Sequence, residues 1–183
     1  YSCNSPMLVA SKKGHLSIVE LLLSKGGDIH DKDLRGNTPL LLSSWFGHPS
    51  IAELLISNGA NCQEKNGFGS SPVMLASEKG HVSVAKICIA HGANIHDKDE
   101  DDQTALMYAS LVSNSSIIDL LLSQGANVND KNKDGKLTLD EARAGMPRVA
   151  DNFDKIDSQK RGYVTLDQIK AAADFAHSFF RLG

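Results

Sequence analysis

The sequence is poor in several kinds of residue, and each shortage excludes a class of protein. It has only three cysteines, far apart along the chain, so it contains neither a disulfide framework nor a zinc-binding spacing. Aromatic residues make up 5% of the chain, and no apolar run approaches the ~18 residues that a membrane-spanning helix needs. With 19 Lys and Arg against 22 Asp and Glu, the chain has no basic excess for nucleic acid. We therefore expect neither a membrane span nor a nucleic-acid partner.

What the sequence does contain is an internal repeat with a period of 33 residues. Its markers are Ser5-Pro6, Thr38-Pro39, Ser71-Pro72 and Thr104-Ala105, followed by Gly26, Gly59, Gly92 and Gly125. The Ser or Thr can cap a helix whose first turn accepts proline, and the glycine suits the end of a second helix. The pattern predicts four helix pairs within residues 1–129, at about 4–36, 37–69, 70–102 and 103–129.

The details of the repeat resemble the ankyrin repeat family. The second unit reads TPL at Thr38–Leu40, and a Gly-His pair joins the two helices at Gly14-His15, Gly47-His48 and Gly80-His81. The resemblance implies an all-α solenoid of stacked helix pairs, with β-turn fingers along one edge and a concave groove. The fourth unit departs from the family, because Asn114 stands in place of the histidine.

A second motif begins where a fifth unit would open. Residues 130–141 read DKNKDGKLTLDE, which fits the calcium-loop pattern D-x-[DN]-x-[DN]-G-x5-E and resembles an EF-hand. The resemblance implies one bound Ca²⁺. Its ligands would be the side chains of Asp130, Asn132, Asp134 and Glu141, the carbonyl of Lys136, and Thr138 directly or through water.

The same residues have a second interpretation. An acidic turn containing glycine is also what an ankyrin finger looks like, and residues 125–129 leave no helix running directly into the loop. A plain finger does not account for Leu137 or for Glu141 at the last loop position. Both interpretations stay open on the sequence alone.

Residues 157–168 resemble a second, degenerate EF-hand loop. Arg161 places a cation where an oxygen ligand is needed, and Gln168 replaces the bidentate carboxylate, so we expect this loop to bind no ion. We expect its short strand around Val164 to pair with the strand around Leu137. Residues 130–183 are thus predicted to form an EF-hand pair that caps the apolar end of the last repeat.

The candidate partner-binding residues are apolar or basic side chains at outward positions of the repeat. They are Leu34, Arg35, Trp45, Phe46, Phe68, Leu111 and Val112. In the family that this chain resembles, these positions face the groove or the finger edge, where exposed aromatic side chains are typical binding hot spots. The alternative for Trp45 and Phe46 is local packing against a finger or a neighbouring turn.

Two other groups of residues have a simpler explanation. Cys62 and Cys88 replace aliphatic residues of other units, so we expect them to be small buried core residues. The acidic run at 97–102 is typical of a solvated finger, although it could steer a basic partner.

Together these features predict a non-enzymatic scaffold, monomeric alone, that binds another protein through the groove and fingers and holds one calcium ion. No common catalytic motif is present. Two alternatives remain, an inhibitor or immunity protein that occludes a toxin or enzyme, and a calcium sensor. The compartment is undetermined: reduced cysteines favour the cytoplasm, whereas a calcium loop of modest affinity would suit a periplasm or the outside of cells.

Overall fold

Four pairs of short helices make up the first part of the chain. The computed structural model describes residues 5–112 and 114–133, together with the backbone of 136–138 and 163–165. The helices are α1 (Pro6–Lys13), α2 (Leu16–Ser24), α3 (Pro39–Phe46), α4 (Pro49–Ser57), α5 (Pro72–Lys79), α6 (Val82–Ala90), α7 (Ala105–Leu111) and α8 (Ser115–Ser123). The chain divides into two units, Tyr1–Asp130 and Lys131–Gly183, and the eight helices described here belong to the first.

The first helix of each pair begins as the sequence predicts. Proline occupies the first turn of α1, α3 and α5. Backbone N–H groups in the first turn have no intrahelical partner, so the N–H group that proline lacks costs no hydrogen bond. A hydroxyl oxygen accepts a hydrogen bond from a first-turn N–H group in three pairs. These bonds run from Leu8 to Ser5, from Leu41 to Thr38 and from Met107 to Thr104.

The helices stack in two rows, and the core lies between them. The first helices α1, α3, α5 and α7 contact one another in that order, and so do α2, α4, α6 and α8. The largest fully buried side chains are Leu8, Val19, Leu40, Leu41, Ile51, Leu55, Val73, Met74, Val84, Ile117 and Leu121. They come from every pair, so each repeat buries its apolar residues against its neighbours.

The Gly-His pairs link one repeat to the next. The ring Nε2 of His48 lies 3.1 Å from the carbonyl oxygen of Lys12, and Nε2 of His81 lies 3.2 Å from that of Trp45. Because a carbonyl oxygen can only accept, each ring donates through Nε2. A Cβ on Gly47, which has φ +75°, would lie 2.5 Å from the His81 ring. Glycine therefore permits the close approach that the histidine needs.

The fourth unit keeps this link with a different residue. Asn114 caps α8 by accepting a hydrogen bond from the N–H group of Ile117, at 3.2 Å. Its Nδ2 donates to the carbonyl oxygen of Gly80, also at 3.2 Å. The departure seen in the sequence is thus a replacement of one side-chain donor by another, and the accepting carbonyl lies two positions later in the repeat than in the histidine links.

Cys62 and Cys88 are buried, as predicted, with 4% and 0% of their surface exposed. Both are free thiols within the apolar core. The hydrogen bond to Cys62 and burial raise the pKa of Cys88, so this thiol stays protonated. The two residues act as small core side chains.

Two short strands are described in the second unit. Strand β1 (Lys136–Thr138) pairs antiparallel with β2 (Tyr163–Thr165), and Leu137 lies opposite Val164. This confirms the predicted pairing of the two loop strands. The predicted cap on the last repeat and the residues Asp134, Glu141, Arg161 and Gln168 lie outside the described residues.

Two glycines in the same backbone conformation give a matched test of the contact between fingers. Gly69 and Gly92 have φ +77° and +84°, so alanine at either costs about 1–2 kcal/mol in the left-handed region. A Cβ at Gly69 would lie 2.9 Å from the backbone nitrogen of Glu100, whereas nothing lies within 4 Å at Gly92. We expect Gly69→Ala to lower the free energy of unfolding by about 1 kcal/mol more than Gly92→Ala, measured by urea denaturation. Equal losses would show that the close approach has no energetic importance.

Candidate protein-binding groove

A groove of about 520 Å³ lies between the last turns of the first helices and the fingers. The fingers are the turns at 33–37, 66–70 and 99–103, each spaced 33 residues from the next. Of the predicted binding residues, Arg35, Trp45, Phe46 and Phe68 line this groove. Leu34, Leu111 and Val112 are exposed but are not part of its lining.

The aromatic side chains of the groove keep much of their surface in solvent. Phe46 is 40% exposed and Phe68 is 55% exposed, while Trp45 is partly buried. The Nζ of Lys79 lies 3.9 Å from the centroid of the Trp45 ring, and that of Lys12 lies 5.4 Å from the Phe46 centroid. Local packing therefore covers one face of Trp45, whereas the two phenylalanines present apolar surface.

The finger wall of the groove is held together by the backbone. The N–H group of Gly67 donates to the carbonyl oxygen of Arg35 at 2.8 Å, and that of Glu100 donates to the carbonyl oxygen of Phe68 at 3.1 Å. Each finger tip is thus bonded to the next. The side chains of Arg35, Phe68 and Glu100 consequently project from neighbouring positions of one connected edge.

One Asp or Asn side chain folds each finger in the same way. Oδ1 of Asp33, Asn66 and Asp99 accepts hydrogen bonds from the backbone N–H groups two and four residues later, at 2.8–3.0 Å. Burial alone would raise the pKa of Asp33, but the bonds from Asn37 and Arg35 outweigh it and lower this pKa. Asp33 therefore remains ionised in its turn.

The third finger differs in carrying a residue with positive φ that is not glycine. Asp102 has φ 59° at the position that Gly36 and Gly69 occupy in the other fingers. Asp tolerates this region better than most residues because its short polar side chain can bond locally. Its presence adds one more carboxylate to an already acidic finger.

Tyr108 on α7 joins the third finger to the helix wall. Its hydroxyl donates to Oδ2 of Asp99 at 2.5 Å. Burial, together with the hydrogen bond to Asp99 and the charge of that carboxylate, raises the pKa of Tyr108 above its usual value of about 10. The phenol is therefore neutral at physiological pH and fixes the acidic finger against the groove floor.

Several groove residues were not among the sequence-based candidates. Lys12 and Glu78 occupy the same position in their units as Trp45, and Tyr108 occupies that of Leu42 and Leu75. The period alone could have identified them. Selection of exposed apolar residues omits Lys12 and Glu78 because they are charged. It omits Tyr108 because leucine occupies the same position in two other repeats.

The start of the predicted calcium loop has a hydrogen bond that the preceding unit has at the same position, just before its finger. Nδ2 of Asn127 donates to Oδ1 of Asp130 at 3.0 Å, as Nδ2 of Asn94 donates to Oδ1 of Asp97 at 2.8 Å in the preceding unit. Asn132 is also described, and Lys136 and Thr138 lie in β1. Within the described residues there is no group of three or more His, Cys, Asp or Glu side chains that could hold a metal ion.

The repeats of this chain match a known protein family. A family described as ankyrin repeats (3 copies) matches residues 2–66 and 59–132. The chain therefore belongs to the ankyrin repeat family. The matched ranges end at residue 132 and so lend no support to an EF-hand module. A search of curated proteins found none that matches the chain, and no helix among the described residues is long and apolar enough to cross a membrane.

The bond between Tyr108 and Asp99 predicts a dependence of stability on pH. Tyr108→Phe removes a hydrogen bond to a charged group, so we expect it to destabilise the protein by about 1–3 kcal/mol near pH 7. Above pH ~10 the unfolded chain ionises Tyr108 while the folded chain keeps it protonated, which costs the wild type stability. The difference between the two proteins should therefore shrink as pH rises.

Urea denaturation at several pH values between about 7 and 11 measures this difference. Asp101→Asn is the control, because it changes a neighbouring carboxylate to which Tyr108 does not donate. A difference between the wild type and Tyr108→Phe that is constant across the pH range would contradict the raised pKa.

Proposed function

We propose that this protein is a non-enzymatic scaffold that binds another protein through the concave groove. Its membership of the ankyrin repeat family supports the general role in protein–protein interaction. The observation that carries the proposal is the exposure of Phe46 and Phe68 in one groove, next to the ring of Trp45. Large aromatic side chains left in solvent at one concave site are the usual anchors of an interface.

Truncation of these anchors tests the proposal. Phe46→Ala and Phe68→Ala should each weaken partner binding at least tenfold, a typical effect for an aromatic hot spot, and should shift the thermal midpoint little because the rings are exposed. Trp45→Ala should also weaken binding and cost the contact with Lys79. The partner is captured from extract on the immobilised full chain, and its affinity is then measured for each variant.

Leu21→Ala and Leu122→Ala are matched controls, since these leucines are 58% and 40% exposed but lie on the outer helices α2 and α8. Equal losses of affinity for the controls and the groove variants would place the interface elsewhere. A captured enzyme that loses activity on binding would favour the inhibitor alternative, which uses the same groove.

We propose, as a second function, that loop 130–141 binds one calcium ion. The observation in its favour is the pairing of β1 with β2, because residues 136–138 and 163–165 are positions 7–9 of the two proposed loops. Paired loops of an EF-hand would bring these positions side by side, with Leu137 opposite Val164. Lys131 and Lys133 reduce the negative field at the loop, so we expect modest affinity.

The proposed ion requires a change at the start of the loop. The carboxylate of Asp130 accepts a hydrogen bond from Asn127, and binding Ca²⁺ would exchange this bond for metal coordination. The remaining ligands would be Asn132, Asp134, the carbonyl of Lys136, Thr138 and Glu141. Glu141 would contribute both carboxylate oxygens and so close the coordination shell.

Titration with calcium chloride, followed by calorimetry, tests this proposal. The wild type should bind one ion per chain, Glu141→Gln should bind none, and Asp157→Ala in the second loop should bind as the wild type does. Calcium at a hundredfold excess over its dissociation constant should stabilise the folded protein by roughly 2.7 kcal/mol. Absence of binding heat in the wild type would leave 130–141 as an ankyrin finger.

Unchanged partner affinity with calcium and with a chelator would exclude the sensor alternative.

A further inference from the structure

The charged side chains that line the groove differ between the first and the third repeat. On the helix wall, Lys12 comes from the first repeat and Glu78 from the third. On the finger wall, Arg35 comes from the first finger and Asp101 from the third. Asp33 also lines the groove at the first finger, where its carboxylate accepts hydrogen bonds from the N–H groups of Arg35 and Asn37. Both cations of the lining thus come from the first repeat, whereas every charged residue that the third repeat contributes to the lining is acidic.

The positive end is formed by two side chains that face the same cavity. Lys12 and Arg35 are both exposed and both line the groove. The Nζ of Lys12 lies 5.4 Å from the centroid of the Phe46 ring. Its charge therefore lies beside the aromatic centre of the groove, which Phe46 and Phe68 form. An anionic side chain of a partner would meet both cations at this end.

The negative end is formed mainly by the third finger. Asp99 already accepts hydrogen bonds from Tyr108 and Gln103, and Glu78 is paired with Lys79 at 3.1 Å. Asp101 at the tip is exposed and lines the groove, so it supplies negative charge that a partner meets. The backbone bond from Glu100 to Phe68 holds this tip beside the aromatic centre.

We propose that the groove binds a short linear segment of a partner protein whose charge changes sign along its length. Its apolar centre contacts Phe46 and Phe68, its basic end lies against Asp101, and its acidic end lies against Lys12 and Arg35. This inference rests on the proposed protein-binding function of the groove and specifies the partner that fits it.

The two ends also exclude partners of uniform charge. A polyanion such as a nucleic acid is attracted at Lys12 and repelled at Asp101. A wholly basic segment is repelled at Lys12 and attracted at Asp101. Each exposed pair of opposite charges contributes little affinity, but two like charges brought together weaken binding. The two charged ends therefore affect the specificity of binding more than its affinity. The aromatic centre supplies most of the affinity.

Selection from a library of random peptides tests the proposal with the full-length chain. Peptides of about twelve residues are long enough, at ~3.3 Å per residue, to cross several repeats. We expect the selected peptides to carry acidic residues at one end, apolar residues in the middle and basic residues at the other end, in either chain direction. Asp101→Lys should weaken a selected peptide about tenfold, and Arg35→Glu should do the same.

A rescue experiment separates direct contact from a general change of charge. A peptide whose basic residues are changed to glutamate should regain affinity for Asp101→Lys, and one whose acidic residues are changed to lysine should regain affinity for Arg35→Glu. Lys25→Glu and Asp119→Lys reverse exposed charges at the end of α2 and on α8, respectively, and should leave binding within about twofold.

The outcomes distinguish this inference from the proposed function. Selected peptides without separated charges, or rescue that fails in both variants, would overturn the inference while groove binding stands. Peptides whose affinity is unchanged by Phe46→Ala and Phe68→Ala would overturn the groove itself as the binding site. If no peptide is selected, the linear-segment inference is wrong, and the capture experiment alone decides the proposed function.

Discussion

The stack depends on one constraint, which is that each repeat must satisfy polar atoms of the repeat before it. A carbonyl oxygen near the end of one first helix accepts a side-chain hydrogen bond from the following repeat, from His48, His81 or Asn114 in turn. The fingers do the same through the backbone, at Gly67 and Glu100. The side-chain bonds join residues 36, 36 and 34 positions apart, close to one repeat in each case, so an inserted residue would move the partner atoms apart.

Much of the fold follows from the sequence because it depends on local chemistry that recurs. Caps at Ser5 and Thr38, buried Cys62 and Cys88, and the pairing of Leu137 with Val164 all follow from position within a repeat or a loop. The replacement of histidine by Asn114 could not be evaluated in this way. Its outcome depends on whether a shorter side chain reaches an oxygen of the preceding repeat, which is a distance in space.

The groove was predictable in its location but not in its charge. Trp45, Phe46 and Phe68 are identified by their apolar character at outward positions. How much surface they offer to a partner depends on the side chains around them. Lys79 lies over Trp45, and Tyr108 fixes Asp99 although nine positions separate them in the chain. Such contacts decide which charges are neutralised inside the protein and which remain for a partner to meet.

The regular period has a consequence for how such a groove can change. Because each repeat contacts only its neighbours, order along the chain equals order along the groove. Duplicating one whole repeat between Arg35 and Glu100 would lengthen the binding surface by one step and leave the local bonds of every other repeat intact. The distance between the two charged ends is therefore set by a count of repeats, whereas a single inserted residue would put both walls out of alignment.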